Sequence, residues 1–124
     1  MDLIKVLKAL SHENRVRILN LLKERKLCVC ELESIMYVNQ SNASRHLNKL
    51  KHAGLITSEH DAQWVYYSLN SKFIKEHPFI NEIILGELDS LKNCQEDYKR
   101  LKKYKESGLN CGDLRGTDIE LDEL

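Results

Sequence analysis

The 124-residue sequence has no apolar run long enough to cross a membrane. Its start, MDLIKVLKALSHENR, lacks the basic opening, apolar centre and small-residue cleavage site of a signal peptide. These absences point to a cytoplasmic chain with no membrane partner. There is no glycine-rich phosphate loop, no internal repeat, and no nucleophile with a base at recognisable spacing, which argues against an enzyme. Net charge is missing too, since 19 Lys and Arg balance 19 Asp and Glu. That balance is uneven along the chain. Residues 106 to 124 carry six acids (Glu106, Asp113, Asp118, Glu120, Asp122, Glu123) against Arg115 alone, which leaves residues 1 to 105 at a net +5. Between Glu33 and Glu59 there is no acid, while Arg45, Lys49 and Lys51 lie there with His46 and His52. A polyanion approaches such a stretch without repulsion.

The length suits one domain, with little room for a second. In a reducing compartment the four cysteines, Cys28, Cys30, Cys94 and Cys111, are expected as free thiols rather than a disulfide framework. Residues 3 to 9 begin a short apolar helix, and Ser11 is placed to cap a second one over HENRVRILNLLKER. Val29, Leu32, Ile35 and Met36 recur at helical spacing, so a third helix spans about 28 to 36 with Cys28 and Cys30 in its first turn. Asn39 can cap a fourth, with Ala43, Leu47 and Leu50 on its inner face and Gly54 as a left-handed stop. Its outer face, from Gln40 to His52, is polar and basic. Two short helices joined by a tight turn, the second with such a face, match a helix-turn-helix.

LITSEH and WVYYSL, separated by DAQ, read as a β-hairpin that would serve as a wing. Ser71 can cap a short helix to His77, and Pro78 suits the first position of a longer one. On that helix Ile84, Leu88, Leu91 and Tyr98 form a seam for a partner helix, a candidate dimer interface. The fold expected is mainly α with a small β-hairpin, a winged helix-turn-helix made dimeric through terminal helices. Residues 1 to 105 form the DNA-binding and dimerisation domain, and 106 to 124 a flexible acidic tail.

The order and spacing of ALSHENRVRILNLL, LCVCEL, NQSNASRHLNKLKHAGLI and WVYYSLN resemble the arsenic-repressor (ArsR/SmtB-type) family of metal-sensing winged-helix proteins, over roughly residues 3 to 105. The resemblance implies a homodimeric repressor that binds an inverted-repeat operator without a cofactor and is released by As(III), with Sb(III), Cd(II) and Pb(II) as related inducers. It makes Cys28 and Cys30 thiolate ligands. Two positions depart from the family: Glu33 stands where some members have a third cysteine, and residues 79 to 105 lack the zinc sensors' ligand pattern. Cys111 is the favoured third thiolate and Cys94 the other candidate; a small thiol or hydroxide in place of either is the remaining arrangement.

Thiolates are soft ligands and select thiophilic ions. A helix start, with Arg25 and Lys26 nearby in sequence, is expected to lower the pKa of Cys28 and Cys30. Residues two apart on a regular helix face different sides, so chelation is expected to unwind the first helical turn and disfavour the DNA-binding conformation. For DNA, the readers expected are Gln40, Ser41, Asn42, Ser44, Arg45 and His46, with Lys49 toward phosphate and His60 and Gln63 as wing contacts. His46 and His52 equally suit packing. A rival keeps the fold and makes the cysteines a redox or reactive-sulfur switch, through Cys28 with Cys30 or Cys94 with Cys111.

Overall fold

The computed structural model describes residues 1–115 and 120–124. Residues 116–119, which include Asp118 of the acidic tail, lie outside the described residues. Helix α1 (Leu3–Leu10) is capped by Asp2, and α2 (Glu13–Leu22) by His12, whose ring accepts from the Asn14 N–H at 3.1 Å. The cap therefore falls one residue after Ser11. A short strand β1 (Leu27–Cys28) leads into α3 (Val29–Met36), and α4 (Gln40–His52) follows a turn in which Tyr37 is left-handed. Ile18, Leu19 and Leu21 of α2, Leu32 and Ile35 of α3, and Leu47 and Leu50 of α4 are buried together. This apolar contact sets the helix-turn-helix angle, because three amphipathic helices can hide their stripes only against one another.

Gly54 follows α4 at φ +88°, where a Cβ would also sit 3.2 Å from the Phe73 ring; both backbone and space require glycine there. The chain then forms β2 (Ile56–Asp61) and β3 (Trp64–Leu69), antiparallel from Asp61↔Trp64 to Ile56↔Leu69, with left-handed Ala62 in the turn. Strand β1 adds to the free edge of β3 through Leu27↔Tyr67 and Cys28↔Tyr66, giving the order β1-β3-β2. The hairpin expected from sequence is thus a three-stranded sheet. The fold is a winged helix-turn-helix.

After α5 (Ser71–Glu76), the long helix expected from Pro78 onward is broken. Helix α6 (Pro78–Glu82) passes into a π-turn, Ile83–Glu87, and a 3₁₀ turn, Leu88–Ser90; Leu91 is extended, and α7 (Lys92–Ser107) starts anew. The change of direction splits the proposed seam. Ile84 and Leu88 turn into the protomer's own core, whereas Leu91 and Tyr98 are 38% and 46% exposed. The first two are therefore corrected to core residues. Leu3, Ile4 and Leu7 of α1 and Leu85 are exposed apolar groups as well.

The segment read as a loose tail packs where it is described. Asn110 caps a single turn, α8 (Cys111–Leu114), and Cys111, Leu114 and Leu121 are buried. No helix among the described residues is long and apolar enough to cross a membrane.

Candidate functional site

Asn39 Oδ1 accepts the Asn42 N–H at 2.8 Å and starts α4 at the position its sequence suggests. Because Ala43, Leu47 and Leu50 are buried, helical geometry turns Gln40, Ser41, Arg45, Asn48 and Lys49 outward, with Asn42 and Ser44 half-buried at the edges. Arg45 Nη2 donates to Asn42 Oδ1 at 2.9 Å, which lays the guanidinium along the helix. Lys51 is drawn aside to Ser58 Oγ at 2.7 Å. His60 and Gln63 are exposed at the wing.

His46 is not on this face. Its ring is buried, with its centroid 4.4 Å from that of His12 and its Nδ1 3.4 Å from Arg15 Nη1. Burial, then the nearby His12, Arg15 and Arg45, lower its pKa to about 4. A neutral, buried imidazole packs α4 against α2 and cannot read base edges from there. His52 is exposed at the end of α4.

At the other end of the helix-turn-helix, Cys28 is the residue before α3 and Cys30 is its second residue. Cys111 of α8 comes back across 83 residues to form a disulfide with Cys28, their Cα atoms 7.0 Å apart. Neither Cys28 with Cys30 nor Cys94 with Cys111 is the pair the fold makes. The N-cap points Cys28 inward while Cys30 stays half-buried on the adjoining side, and Cys94 faces the core of α7 against α2. Glu31 completes the site: it is buried, its Oε1 accepts the Cys28 N–H at 2.9 Å, and its Oε2 accepts from the Tyr104 hydroxyl. The two sulfurs and a Glu31 oxygen lie within 4.8 Å of one another. Once reduced, such a donor set suits a thiophilic cation. Cys30 stands outside that group.

The thiol pKa values run opposite to the sequence expectation. Burial, then Glu33, raise that of Cys30 despite the opposing effect of Arg115. Lys26 does not help, because it pairs with Glu59 at 3.1 Å. Burial, then Asp97, push Cys94 up to about 11, so this thiol stays protonated at neutral pH.

The profile of the family described as bacterial regulatory protein, arsR family, matches residues 12–58, which run from the cap of α2 into β2. The chain is 40% identical over 77 residues to a cadmium resistance transcriptional regulatory protein CadC homolog of Staphylococcus aureus, covering 61% of this chain and 64% of that one. It is 46% identical over 66 residues to the arsenical resistance operon repressor of Bacillus subtilis, covering 52% and 63%. The solved structure of reduced HlyU from Vibrio cholerae superposes with a TM-score of 0.56 at 33% identity, over 68% of this chain and 88% of that one. The chain belongs to the arsR family. Its family and these relatives are transcriptional regulators rather than enzymes.

For this arsR-family chain, several residues that line the candidate sites had not been singled out from the sequence. Glu31 follows Cys28 by three, the spacing of a capping box, and so had a local signal. Lys5 and Lys8 of α1 and Arg15 of α2 had none, since only the tertiary fold brings them to a groove shared with α4. The match to the cadmium and arsenical regulators spans less than two thirds of their length. Cys111 lies outside the profile match.

Proposed function

We propose that the chain is a homodimeric transcriptional repressor that holds an inverted-repeat operator through α4 and releases it when As(III) is captured by Cys28, Cys30 and Cys111. The observation that carries this reading is the meeting of Cys28 and Cys111 at the start of α3, beside Cys30. Cys94, protonated in the core, is left out. Capture needs thiolates, so the Cys28–Cys111 bond is first reduced: two small thiols supply two electrons, leave as one disulfide, and free both sulfurs. Bringing in Cys30 then turns the first residues of α3, which α7 grips at both ends. Tyr104 holds Glu31 near its start and Arg100 donates to the Ile35 carbonyl at its end, where Arg17 of α2 adds a bond to the Met36 carbonyl. Strain at the start of α3 thereby reaches the turn before α4. A coupling of about 1–3 kcal/mol weakens DNA binding roughly 5–150-fold. The relatives' names, arsenical and cadmium resistance regulators, support a thiophilic inducer, with Sb(III), Cd(II) and Pb(II) in the same class. The homodimer is supported by exposed apolar groups on α1 (Leu3, Ile4, Leu7) together with Leu85, Leu91 and Tyr98.

The Cys28–Cys111 bond favours a second reading, a thiol switch. Here a peroxide takes two electrons from the two thiols, giving the disulfide and water. Fluorescence anisotropy of the reduced protein on a duplex selected from a random pool separates the two, with arsenite, cadmium, zinc and peroxide as inducers. Release by arsenite that Cys28→Ser and Cys111→Ser abolish and Cys94→Ser spares supports the sensor. Release by peroxide alone, reversed by a reductant, replaces it with the switch.

A further inference from the structure

Helix α1 does more than present an apolar side. Its polar side borders α4 across an open groove of about 1050 Å³, lined on α1 by Lys5 and Lys8 and on α4 by Ser44, Arg45, Lys49 and His52. No carboxylate lines it, and among the described residues Lys5, Lys8 and Lys49 take part in no ion pair. Three free ammonium groups beside a guanidinium repel one another, and a chain keeps them together at a cost unless an anion arrives.

The groove is also held in shape. Arg15 of α2 reaches up between the two helices: its Nε donates to the Ala9 carbonyl at 2.7 Å and its Nη2 to the Lys8 carbonyl at 2.9 Å, while its Nη1 lies 3.4 Å from His46 on α4. These contacts fasten the last turn of α1 to the recognition helix. They set the spacing of Lys5 and Lys8, one turn apart on one side of α1, against Lys49.

We propose that this groove is a track for the DNA backbone, in which Lys5 and Lys8 of α1 bind phosphates of the strand flanking the major groove that α4 reads. Charge complementarity names the occupant. A phosphodiester strand offers a regular row of single negative charges, and the groove offers a row of cations contiguous with Gln40, Ser41 and Arg45 on the same surface. The inference rests on α4 being the recognition helix. It adds that the wing, whose tip EHDAQ has no lysine or arginine, is not the main flanking contact.

The test is the salt dependence of DNA binding by the full, reduced protein, measured by anisotropy on the selected duplex and on an unrelated duplex of equal length. Each phosphate contact contributes about 0.9 to the slope of log K against log salt. Lys5→Ala and Lys8→Ala each remove one contact per protomer, two per homodimer, and should therefore each flatten the slope by about 2 and weaken binding roughly 30-fold at 0.15 M salt, about 900-fold together, equally on both duplexes. Sedimentation and thermal melting of the variants should match wild type. A slope and affinity within about twofold of wild type for the double variant would overturn the proposal. So would a loss confined to the selected duplex at unchanged slope, which would mean that α1 acts only by placing α4. Stronger DNA binding by the variants would also overturn it and point to the acidic C-terminal segment as the occupant. Arg45→Ala serves as the separate check. If it costs no selectivity while the lysine slopes fall, the reading of α4 as recognition helix fails, and what survives is phosphate binding by Lys5 and Lys8 without the flanking register proposed for it.

Discussion

Arg17 and Asp97, 80 residues apart, form a two-bond ion pair: Nε to Oδ2 at 2.7 Å and Nη2 to Oδ1 at 2.8 Å. Arg100 Nη2 donates to the same carboxylate at 2.8 Å, so the buried Asp97 is shared by two guanidiniums. The Asp97 hydrogen bond raises the pKa of Arg17 further. Both arginines also reach the carbonyls that end α3, at Met36 and Ile35. The network joins α2, α3 and α7.

Asp97→Ala should destabilise the protein by about 3–5 kcal/mol, because it leaves two largely buried guanidiniums without their counter-charge. Urea unfolding at neutral pH measures this. A loss below about 1 kcal/mol would mean that solvent already screens the network.

Stability should fall on mild acidification through His46. Its pKa is near 4 in the fold against 6.5 unfolded, so between these values the unfolded chain binds the extra proton. The imidazole contributes fully above pH 6.5, and its contribution declines as pH drops toward 4. From pH 7 to 5 the loss is about 2 kcal/mol. Urea melts of wild type and His46→Leu at both pH values check it; an equal pH dependence in the two proteins would place the effect elsewhere.

Trp64 is the single tryptophan and reports on α8. The Arg115 guanidinium lies 5.6 Å from its ring, and Gly112 is close by. Reducing the Cys28–Cys111 bond should loosen α8 and change the emission of Trp64, and arsenite added afterwards should change it again. In Cys111→Ser neither addition should have an effect. Identical traces for wild type and variant would separate α8 from the thiol site.

Arg45→Ala should weaken operator binding by about 1–3 kcal/mol while sparing unrelated DNA, since a bidentate arginine contact to a base is worth that much in discrimination. Competition anisotropy reads it directly. Equal weakening on both duplexes would reassign Arg45 to phosphate.

Much of this molecule was decided by local sequence. The apolar spacing of α2, α3 and α4, the Asn39 cap, the left-handed Gly54 and the alternating hairpin are short-range signals, and each structure they imply is present. The outward face of α4 follows from the same periodicity, which is why the exposure of Gln40, Ser41, Arg45 and Lys49 was legible.

What local pattern could not contain was decided by tertiary packing. His46 has the spacing of a partly polar position, yet the approach of His12 and Arg15 from α2 encloses it. Ile84 and Leu88 continue a helical seam in sequence, but the break at Leu91 turns them inward. Lys5 and Lys8 look like ordinary solvated lysines until α1 is laid beside α4. The thiol site depends most on the fold. Cys28 and Cys30 announce themselves by proximity in the chain, but the partner of Cys28 arrives from 83 residues away, carried by the return of α8 onto α3. Sequence spacing determines which side chains share an element; only the burial of several elements against each other determines which side chains meet across them.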